Sequence, residues 1–461
     1  MKDTKKGFHI NPYILVILSF LLVIFIGSTL LCMPFSRLDG QWGWSSYIDQ
    51  VFVSVSATCV TGLCTYEEGI VGTLTFPGQL ILLSMIQIGG LGFITVLTFL
   101  LTLFKRKLQF KDRYILSQAV NSTSIADVVI FVRRIIIISA IVEFAGFLLG
   151  LPAFLTIFKD DPWKGVWNSA FISISSFNNA GFDILGKTSL MRDAASILGG
   201  VDNWVYIYLL VYVMILIIVG GISFLTIIEV FSFKKKPSQW RAFTKIILTM
   251  TAVLLLLGFG VFSLSESLRT GGEITLLDAV FQSVTCRTAG FASFDQSKLS
   301  LVGKVMSCGL MFIGGAPLST AGGIKITTIY MIALVMVSYF RGKRVVSFKR
   351  VYSLNMVVKA MSLLLIALGI VLFAFLGIEA FESGSGKANE DIFFEVFSAF
   401  GTTGLTTGIT TSLTLGSKII LCVLMFLGRL GPMTFFQIFQ SSLTKETSDH
   451  YKYVEEDFLI G

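Results

Sequence analysis

Four short stretches of the sequence combine small, hydroxyl or amide side chains with a glycine. They read Val60-Thr61-Gly62-Leu63, Asn179-Ala180-Gly181-Phe182, Thr288-Ala289-Gly290-Phe291 and Thr402-Thr403-Gly404-Leu405. A glycine adopts backbone angles that a Cβ atom penalises, so the carbonyl oxygens of such a stretch can all face one side. A ring of carbonyl oxygens can replace the hydration shell of a monovalent cation. These residue types therefore indicate cation coordination by the backbone, with no covalent step.

Each glycine stretch belongs to a half-polar segment that is too short to cross a bilayer. The segments are 47–69, 166–186, 276–295 and 390–409, and each has a Phe nine or ten residues before its glycine. A half-helix of about ten residues must enter the membrane and return through non-helical backbone, which is tolerated only beside water or inside protein. The alternative is four ordinary turns between helices, each ending in a glycine cap. Such turns would not need matching half-helices.

A second glycine-containing landmark follows each stretch. The four landmarks are Gly89-Gly90-Leu91-Gly92-Phe93, Gly220-Gly221-Ile222-Ser223-Phe224, Gly314-Gly315-Ala316-Pro317 and Gly428-Arg429-Leu430-Gly431-Pro432. The first set of glycines recurs after 119, 109 and 114 residues, so two landmarks repeat in register. Coincidence among the 43 glycines is the alternative. The repeat predicts four units, 1–110, 111–236, 237–350 and 351–461, each composed of a span, a half-helix, a glycine loop and a span.

The composition requires a membrane to position these stretches. Of the 461 residues, 54% are apolar and 14% are charged, against about 25% charged in a soluble domain. Apolar runs lie at 13–33, 78–104, 135–158, 205–230, 246–264, 301–338, 357–378 and 419–441. We therefore predict an all-α membrane protein with eight full spans and four half-helices around a pseudo-fourfold pore. Disordered, collagen-like and disulfide-scaffold classes are excluded.

The net charge of +8 is concentrated between apolar runs. Basic clusters at 105–113, 234–245 and 341–350 define a cytoplasmic side by the positive-inside rule, with both termini on that side of the cell membrane. No basic patch has the interleaved aromatic residues of a nucleic-acid site, so no nucleic-acid partner is expected. The six cysteines lack CxxC spacing, and the two histidines lie near the termini. Cysteines are thus expected as buried apolar residues, without a disulfide or a histidine metal site.

The apolar stretch 301–340 is too long for one span. As a single helix it would measure about 60 Å, twice the hydrocarbon thickness. Proline and clustered glycine weaken a helix, and the stretch holds such residues together with small polar ones and one lysine: Gly314, Gly315, Ala316, Pro317, Ser319, Thr320, Gly322, Gly323 and Lys325. We therefore expect this segment to break inside the membrane.

The whole chain resembles the Trk/Ktr/HKT superfamily of potassium transporters, and within it the KtrB type of membrane subunit. The resemblance is carried by residues 56–63, by Asn178-Asn179-Ala180-Gly181-Phe182, by Arg287-Thr288-Ala289-Gly290-Phe291 and by residues 400–405. A first unit that starts about a dozen residues after Met1 favours the KtrB type. The resemblance implies that Gly62, Gly181, Gly290 and Gly404 are selectivity-filter glycines. Since members with serine at the first of these tend to pass sodium, Gly62 implies a potassium preference.

The resemblance also implies a gate. The broken segment corresponds to the intramembrane loop beneath the filter, although Ala316 and Leu318 stand where Ser and Gly are usual. Arg429 would lie near that loop as a positive barrier, the alternative being a structural pair with a backbone carbonyl or with Glu143. Lys325 is equally compatible with a gate anchor and with a simple interface charge. Arg287 is interpreted as holding the third filter loop by hydrogen bonds.

A potassium-translocating subunit is thus the leading hypothesis, with potassium as the bound ion and no organic cofactor. A membrane carrier for sodium or another small cation, or for a larger substrate, is the first alternative. A membrane-embedded enzyme is disfavoured because the sequence offers almost no intramembrane acid, histidine or metal ligand. By resemblance alone, we expect a homodimer on a cytosolic ring of RCK-type nucleotide-binding subunits. The basic loops would contact that ring, anionic lipid, or both.

Overall fold

The computed structural model describes residues 12–92, 128–186, 198, 200, 203–231, 236–267 and 274–431, and within them the chain is mostly helical. The helices are α1 (Pro12–Leu31), α2 (Tyr47–Thr58), α3 (Gly69–Thr73), α4 (Phe76–Leu91), α5 (Val128–Ile157), α6 (Pro162–Asn178), α7 (Trp204–Gly221), α8 (Phe224–Val230), α9 (Ala242–Phe262), α10 (Leu276–Thr285), α11 (Leu301–Phe312), α12 (Ile326–Phe340), α13 (Leu354–Glu382), α14 (Asn389–Gly401) and α15 (Leu415–Leu430). An antiparallel hairpin pairs β1 (Val346–Ser347) with β2 (Arg350–Val351), Val346 lying opposite Val351.

Five of these helices are long and apolar enough to cross a membrane, counting only the described residues: α1, α5, α7, α9 and α13. Their outer faces carry large exposed apolar side chains, including Phe25, Leu256 and Phe373. Such surfaces are suited to lipid rather than to water. The chain therefore has the exterior of a multi-pass membrane protein.

The other predicted spans differ in length from these five. The predicted span 78–104 begins as α4, and 419–441 begins as α15, but residues 93–104 and 432–441 lie outside the described residues. The stretch 301–338 consists of α11 and α12 with a non-helical segment, 313–325, between them. The helix break predicted from proline and glycine is thus present.

The four predicted half-helices correspond to α2, α6, α10 and α14, which have 12, 17, 10 and 13 residues. Local sequence explains where two of them begin. Asp161 caps α6 and is followed by Pro162, while Thr275 and Asp278 form a capping box on α10. All four are extensively buried, as is α7, whereas less than half of each of α1, α5, α9 and α13 is buried. The four short helices form the interior of the molecule.

In each unit, the helix that contains or precedes the second glycine landmark contacts the short helix of the next unit. Contacts join α4 to α6, α7 to α10, α11 to α14, and α15 back to α2. The side chains at the last of these junctions lie 369 residues apart in sequence, where the Lys418 ammonium contacts the Asp49 carboxylate at 2.8 Å. The packing order is therefore closed on itself and brings the ends of the four short helices towards one region.

Candidate functional site

The backbone follows the same path in all four glycine stretches. The residue two before each glycine is left-handed, with φ of 58° at Val60, 59° at Asn179, 68° at Thr288 and 50° at Thr402. The glycines also have positive φ, at 104° for Gly62, 69° for Gly181, 83° for Gly290 and 90° for Gly404. The residue between them keeps a negative φ. A non-glycine residue in the left-handed region is strained by about 1–2 kcal/mol. Because this conformation occurs at the same position in all four loops, other interactions of the site must stabilise it.

Hydrogen bonds to the preceding short helix hold each loop in this path. The N–H of the residue before each glycine donates to a helix carbonyl: Thr61 to Ser56 (2.7 Å), Ala180 to Ser175 (2.8 Å), Ala289 to Thr285 (3.0 Å) and Thr403 to Ser398 (2.8 Å). Helix hydroxyls add a second bond. Ser56 and Ser398 accept from the N–H of Gly62 and Gly404, whereas Ser175 and Thr285 donate to the carbonyls of Phe182 and Phe291. Each loop is therefore held by one backbone bond and one hydroxyl bond to the short helix before it; the hydroxyl accepts in the first and fourth loops and donates in the second and third.

The four glycines lie against one another in cyclic order. A Cβ atom placed on Gly62 would lie 2.7 Å from the Ala180 carbonyl oxygen. The same construction gives 2.8 Å from Gly181 to Ala289, 2.1 Å from Gly290 to Thr403, and 2.1 Å from Gly404 to Thr61. Cβ atoms do not approach oxygen this closely, so a side chain at any of the four positions would displace the neighbouring loop. The twelve predicted site residues of the loops are thus brought together.

The four glycine stretches are largely buried and contain no charged side chain. Hydroxyls of four loop threonines, Thr61, Thr288, Thr402 and Thr403, are buried and lack a hydrogen-bond partner among the described residues. Leu63, Phe182, Phe291 and Leu405, which follow the four glycines, are buried. No group of His, Cys, Asp and Glu that could bind a metal occurs within the described segments. A site of neutral oxygens suits a monovalent cation better than a transition metal.

The second landmark brings the long helices close to the ends of the short ones. A Cβ on Gly89 would lie 2.0 Å from the Thr58 carbonyl oxygen, and one on Gly428 would lie 2.0 Å from that of Phe400. Gly220 stands in the same relation to Phe177, at 1.8 Å. Each of these carbonyls lies four residues before a loop glycine. The glycines therefore permit the close backbone approach that supports the loops.

In the third repeat, the second landmark becomes the non-helical segment 313–325, which we call the crossing loop. It bonds to both neighbouring repeats. The Ala316 N–H donates to the Gly221 carbonyl at 3.1 Å, and the Thr320 hydroxyl donates to the Gly220 carbonyl at 2.9 Å. On the other side, the Gly323 N–H donates to the Gly428 carbonyl at 3.3 Å. The crossing loop is thus tied to two of the other three repeats.

The crossing loop lies directly beside the fourth glycine stretch. A Cβ on Gly322 would lie 2.0 Å from the Thr402 hydroxyl oxygen, and one on Gly314 would lie 1.9 Å from the Gly322 carbonyl oxygen. Lys325 caps the start of α12 and donates to the Ala321 carbonyl at 2.7 Å. The remaining predicted residues of this loop, Gly315, Ala316, Pro317, Ser319 and Thr320, belong to the same segment. Its position is adjacent to the cluster of glycines.

Arg429 joins the crossing loop to the first repeat. Its guanidinium donates to the Thr320 carbonyl and to the carbonyls of Gly89 (2.5 Å) and Gly90 (2.9 Å). The alternative pairing with Glu143 does not occur, because the Glu143 carboxylate accepts from Gln87 and Asn178 instead. Of the structural pairs considered for Arg429, the pair with backbone carbonyls is therefore the one present.

Sequence reasoning missed the buried carboxylate of Glu395 and considered the half-buried Glu143 only as a pair for Arg429. Glu143, bound by Gln87 and Asn178, lies behind the second loop, and Glu395 accepts hydrogen bonds from Thr406 and Thr410. The proximity of Glu395 to the fourth glycine stretch was a usable signal. The Nε of Arg287 is buried without a hydrogen-bond partner among the described residues, so the interpretation of Arg287 as a hydrogen-bonded anchor of the third loop lacks support.

The chain is similar to known membrane transport proteins over nearly its whole length. A family described as "Cation transport protein" (TrkH) matches residues 8–451. The potassium/sodium uptake protein NtpJ of Enterococcus hirae is 34% identical, with 98% of both chains covered. The Ktr system potassium uptake protein B of Bacillus subtilis is 34% identical, with 97% of this chain and 96% of the relative covered.

A solved structure has the same fold. The potassium transporter TrkH from Vibrio parahaemolyticus superimposes with a TM-score of 0.68 at 18% identity, covering 94% of this chain and 86% of that one. The fold and the site thus define a helical, multi-pass cation transporter. The chain belongs to the TrkH family of cation transport proteins, which confirms the resemblance found in the sequence. Its relatives are transporters, and nothing in the comparisons indicates an enzyme.

Proposed function

We propose that this chain is the potassium-translocating subunit of a potassium uptake system. Four glycine loops would form one selectivity filter, with Val60, Asn179, Thr288, Thr402 and the residues that follow each of them supplying oxygens. The observation that carries the proposal is the cyclic contact from each loop glycine to the carbonyl of the next loop. Four loops that meet in closed order surround one axis, and one axis suits a bare ion better than a larger substrate.

The alternating φ signs support the role of carbonyls as ligands. A positive φ, then a negative one, then a positive one turns successive peptide planes alternately, so that their oxygens face the same side. The short helices end at these loops, and the partial negative charge of a helix C-terminus favours a cation there. These oxygens would replace the hydration shell of potassium in the filter, and water would surround the ion again after it leaves the filter.

The crossing loop would act as the gate. It is held by neighbouring repeats through Gly220, Gly221 and Gly428, and by Arg429. When the loop moves, water can replace these hydrogen-bond partners. The loop would therefore have two states, one bonded to the neighbouring repeats and one displaced from them. The buried charge of Arg429 beside the path would repel cations while the loop is in place.

Gly62→Ser tests the filter. We expect this change to lower the ratio of potassium to sodium flux in proteoliposomes, because the new side chain would collide with the Ala180 carbonyl. Gly369→Ser is the matched control, since Gly369 has open space around it and lies on the lipid-side helix α13. Unchanged selectivity in Gly62→Ser would reject the filter assignment.

Sodium transport is the second candidate function. It is favoured by one specific finding, since a relative of equal identity is called a potassium/sodium uptake protein. The two candidates differ in the competition experiment. Potassium uptake predicts that excess sodium leaves the flux of rubidium, a potassium analogue, nearly unchanged, whereas a shared pathway predicts inhibition.

The assembly and orientation of the chain are proposed as well. Four pore units, 1–110, 111–236, 237–350 and 351–461, would make one pathway, and two chains would form a homodimer on an RCK-type nucleotide-binding ring. Both termini and the basic segments, including 236–245 and 341–350, would face the cytoplasm. Crosslinking of a purified complex checks the dimer, and labelling of cysteines introduced in the β1–β2 hairpin checks the orientation.

A further inference from the structure

A cavity of about 610 Å³ is lined by residues that do not belong to the four glycine stretches. It is lined by the start of α9, the first turns of α12, the β1–β2 hairpin and the start of α13. All four of these elements carry or adjoin basic residues, which places the cavity at the level where apolar helices meet a charged surface.

The polar part of the cavity is positive. Arg241 and Arg350 both line it, and both side chains are exposed. Neither forms an ion pair with an acid among the described residues. The nearby Glu229 carboxylate accepts the backbone N–H of Arg241 and the Thr244 hydroxyl. A guanidinium group can hold a phosphate group by paired N–H donors, so two of them on one cavity favour an anionic occupant.

The rest of the cavity wall is apolar or aromatic. Phe243, Met331 and Met356 line it, as do Tyr330 and Tyr352. Tyrosine between an apolar wall and a charged rim is typical of the membrane–water interface. Further along α9, Val253, Leu256 and Leu257 are exposed. An occupant with a long apolar portion would therefore be accommodated along the helix surface.

We propose that this cavity binds one anionic phospholipid, of the phosphatidylglycerol class. Its phosphate lies between Arg241 and Arg350, and an acyl chain lies against Phe243 and Met331. An acidic protein segment would satisfy the arginines but would leave the apolar wall without a partner. A neutral phospholipid would fill the wall but would not compensate the two positive charges.

The position of the cavity suggests a consequence for transport, which rests on the proposed function. Thr327 and Tyr330 are on α12, which begins at Ile326, directly after the crossing loop. Tyr330 is also hydrogen-bonded to Ser347 of the hairpin. A lipid held between α9 and α12 would thus restrain the helix to which the crossing loop is attached.

Native mass spectrometry of the solubilised chain tests the binding. With equal amounts of phosphatidylglycerol and phosphatidylcholine, we expect at least fivefold preference for phosphatidylglycerol. The double variant Arg241→Gln/Arg350→Gln should lose that preference. Lys159→Gln/Lys164→Gln removes the same charge from exposed residues that neither line the cavity nor belong to a basic cluster, and it should bind as the unaltered chain does.

Three results would overturn the proposal. They are an unchanged phosphatidylglycerol preference in Arg241→Gln/Arg350→Gln, displacement of the lipid by millimolar inorganic phosphate, and displacement by a hexaglutamate peptide. The second would assign the site to a free anion, and the third to a protein segment.

Potassium flux in liposomes tests the consequence separately. We expect phosphatidylglycerol to change flux at least twofold in the unaltered chain and in Lys159→Gln/Lys164→Gln, but not in Arg241→Gln/Arg350→Gln. Equal flux in all lipids would reject the effect on the crossing loop and leave the lipid site standing. An absence of potassium flux in every lipid would instead reject the proposed function.

Discussion

At the scale of single residues, Arg429 connects the crossing loop to the first repeat. One guanidinium donates to carbonyls of Thr320, Gly89 and Gly90, which belong to two different repeats. Hydrogen bonds from a charged group contribute about 1.5–3 kcal/mol each. Arg429 therefore stabilises the crossing loop in its present position, beyond any electrostatic barrier that it creates.

Replacing Arg429 by glutamine should release the loop. Losing even one such bond corresponds to about a tenfold change in the equilibrium between loop positions, so potassium flux should rise several-fold. Arg429→Lys should resemble Arg429→Gln, because a compact ammonium does not match three carbonyls as a guanidinium does. Rubidium uptake by proteoliposomes measures the effect, with Arg344→Gln as an exposed-arginine control. Equal uptake in Arg429→Gln and the unaltered chain would contradict this role.

The residues of the loops could be predicted because their chemistry is local. A small residue followed by glycine after a short helix is visible in the sequence, and the positive φ at Gly62 and Gly404 explains why glycine is used. The left-handed conformation of Val60 could not be predicted, since a β-branched residue is among the least suited to it. It is enforced by the bonds that hold Thr61 and Gly62 to the preceding helix.

At the scale of elements, the crossing loop forms hydrogen bonds with both the second and the fourth repeat. Its Thr320 hydroxyl donates to the carbonyls of both Gly220 and Phe177. Those carbonyls lie on α7 and α6, so the side chain ties the loop to a long helix and to the helix before the second glycine stretch. The bond is buried, and breaking it leaves the Gly220 carbonyl with the Thr320 N–H as its donor while the Phe177 carbonyl loses the hydroxyl.

Thr320→Val removes the hydroxyl and keeps the shape of the side chain. The loss should destabilise the present loop position by about 1–3 kcal/mol and raise potassium flux about fivefold or more. Thr249→Val is the matched control, because the Thr249 hydroxyl bonds only within its own helix, to Lys245 and Ile246. A Thr320→Val protein with control-level flux would show that this bond does not restrain the loop.

A shortened loop tests the same element more severely. Deleting residues 315–322 removes the segment that lies beside Thr402, and we expect flux to increase if the loop is a barrier. Size-exclusion chromatography of the detergent-solubilised variant establishes that it is folded. A folded deletion variant whose flux equals that of the unaltered chain would mean that the loop obstructs nothing.

One helix break was predictable at this scale, and helix partners were not. Pro317 and the neighbouring glycines indicate the break between α11 and α12. The run 205–230 was predicted as one span, but Ile222 and Ser223 interrupt it and separate α7 from α8. By contrast, the Gln87–Glu143–Asn178 cluster joins three elements through side chains, and no periodicity within one helix records that contact.

At the scale of the whole molecule, the packing order of the four units is closed by contacts between the last unit and the first. The Lys418–Asp49 pair joins α15 to α2 and so connects the last repeat to the first. Lys304 contacts Glu390 and Asp391 at 2.6 and 2.9 Å across the junction from α11 to α14. A repeat in the sequence predicts equivalent units, but the order in which they meet depends on such long-range contacts.

A double-mutant cycle measures the contribution of the closing pair. Lys418→Gln and Asp49→Asn should each lower the midpoint of thermal unfolding in detergent. Their coupling should be about 0.5–2 kcal/mol, since both side chains are only partly exposed, at 12% and 23%. The Arg37–Asp39 pair, whose carboxylate is 45% exposed and only two residues away in sequence, should show coupling below about 0.5 kcal/mol. Equal coupling in both cycles would contradict a closing role.

The most direct test of the account is to locate the ion. A structure determined with rubidium or thallium in place of potassium would reveal the ion by its scattering. We predict density on the axis enclosed by the backbone carbonyls around Gly62, Gly181, Gly290 and Gly404, with each loop contributing oxygens. Density elsewhere, with none between these four loops, would contradict the claim that they form one path for the ion.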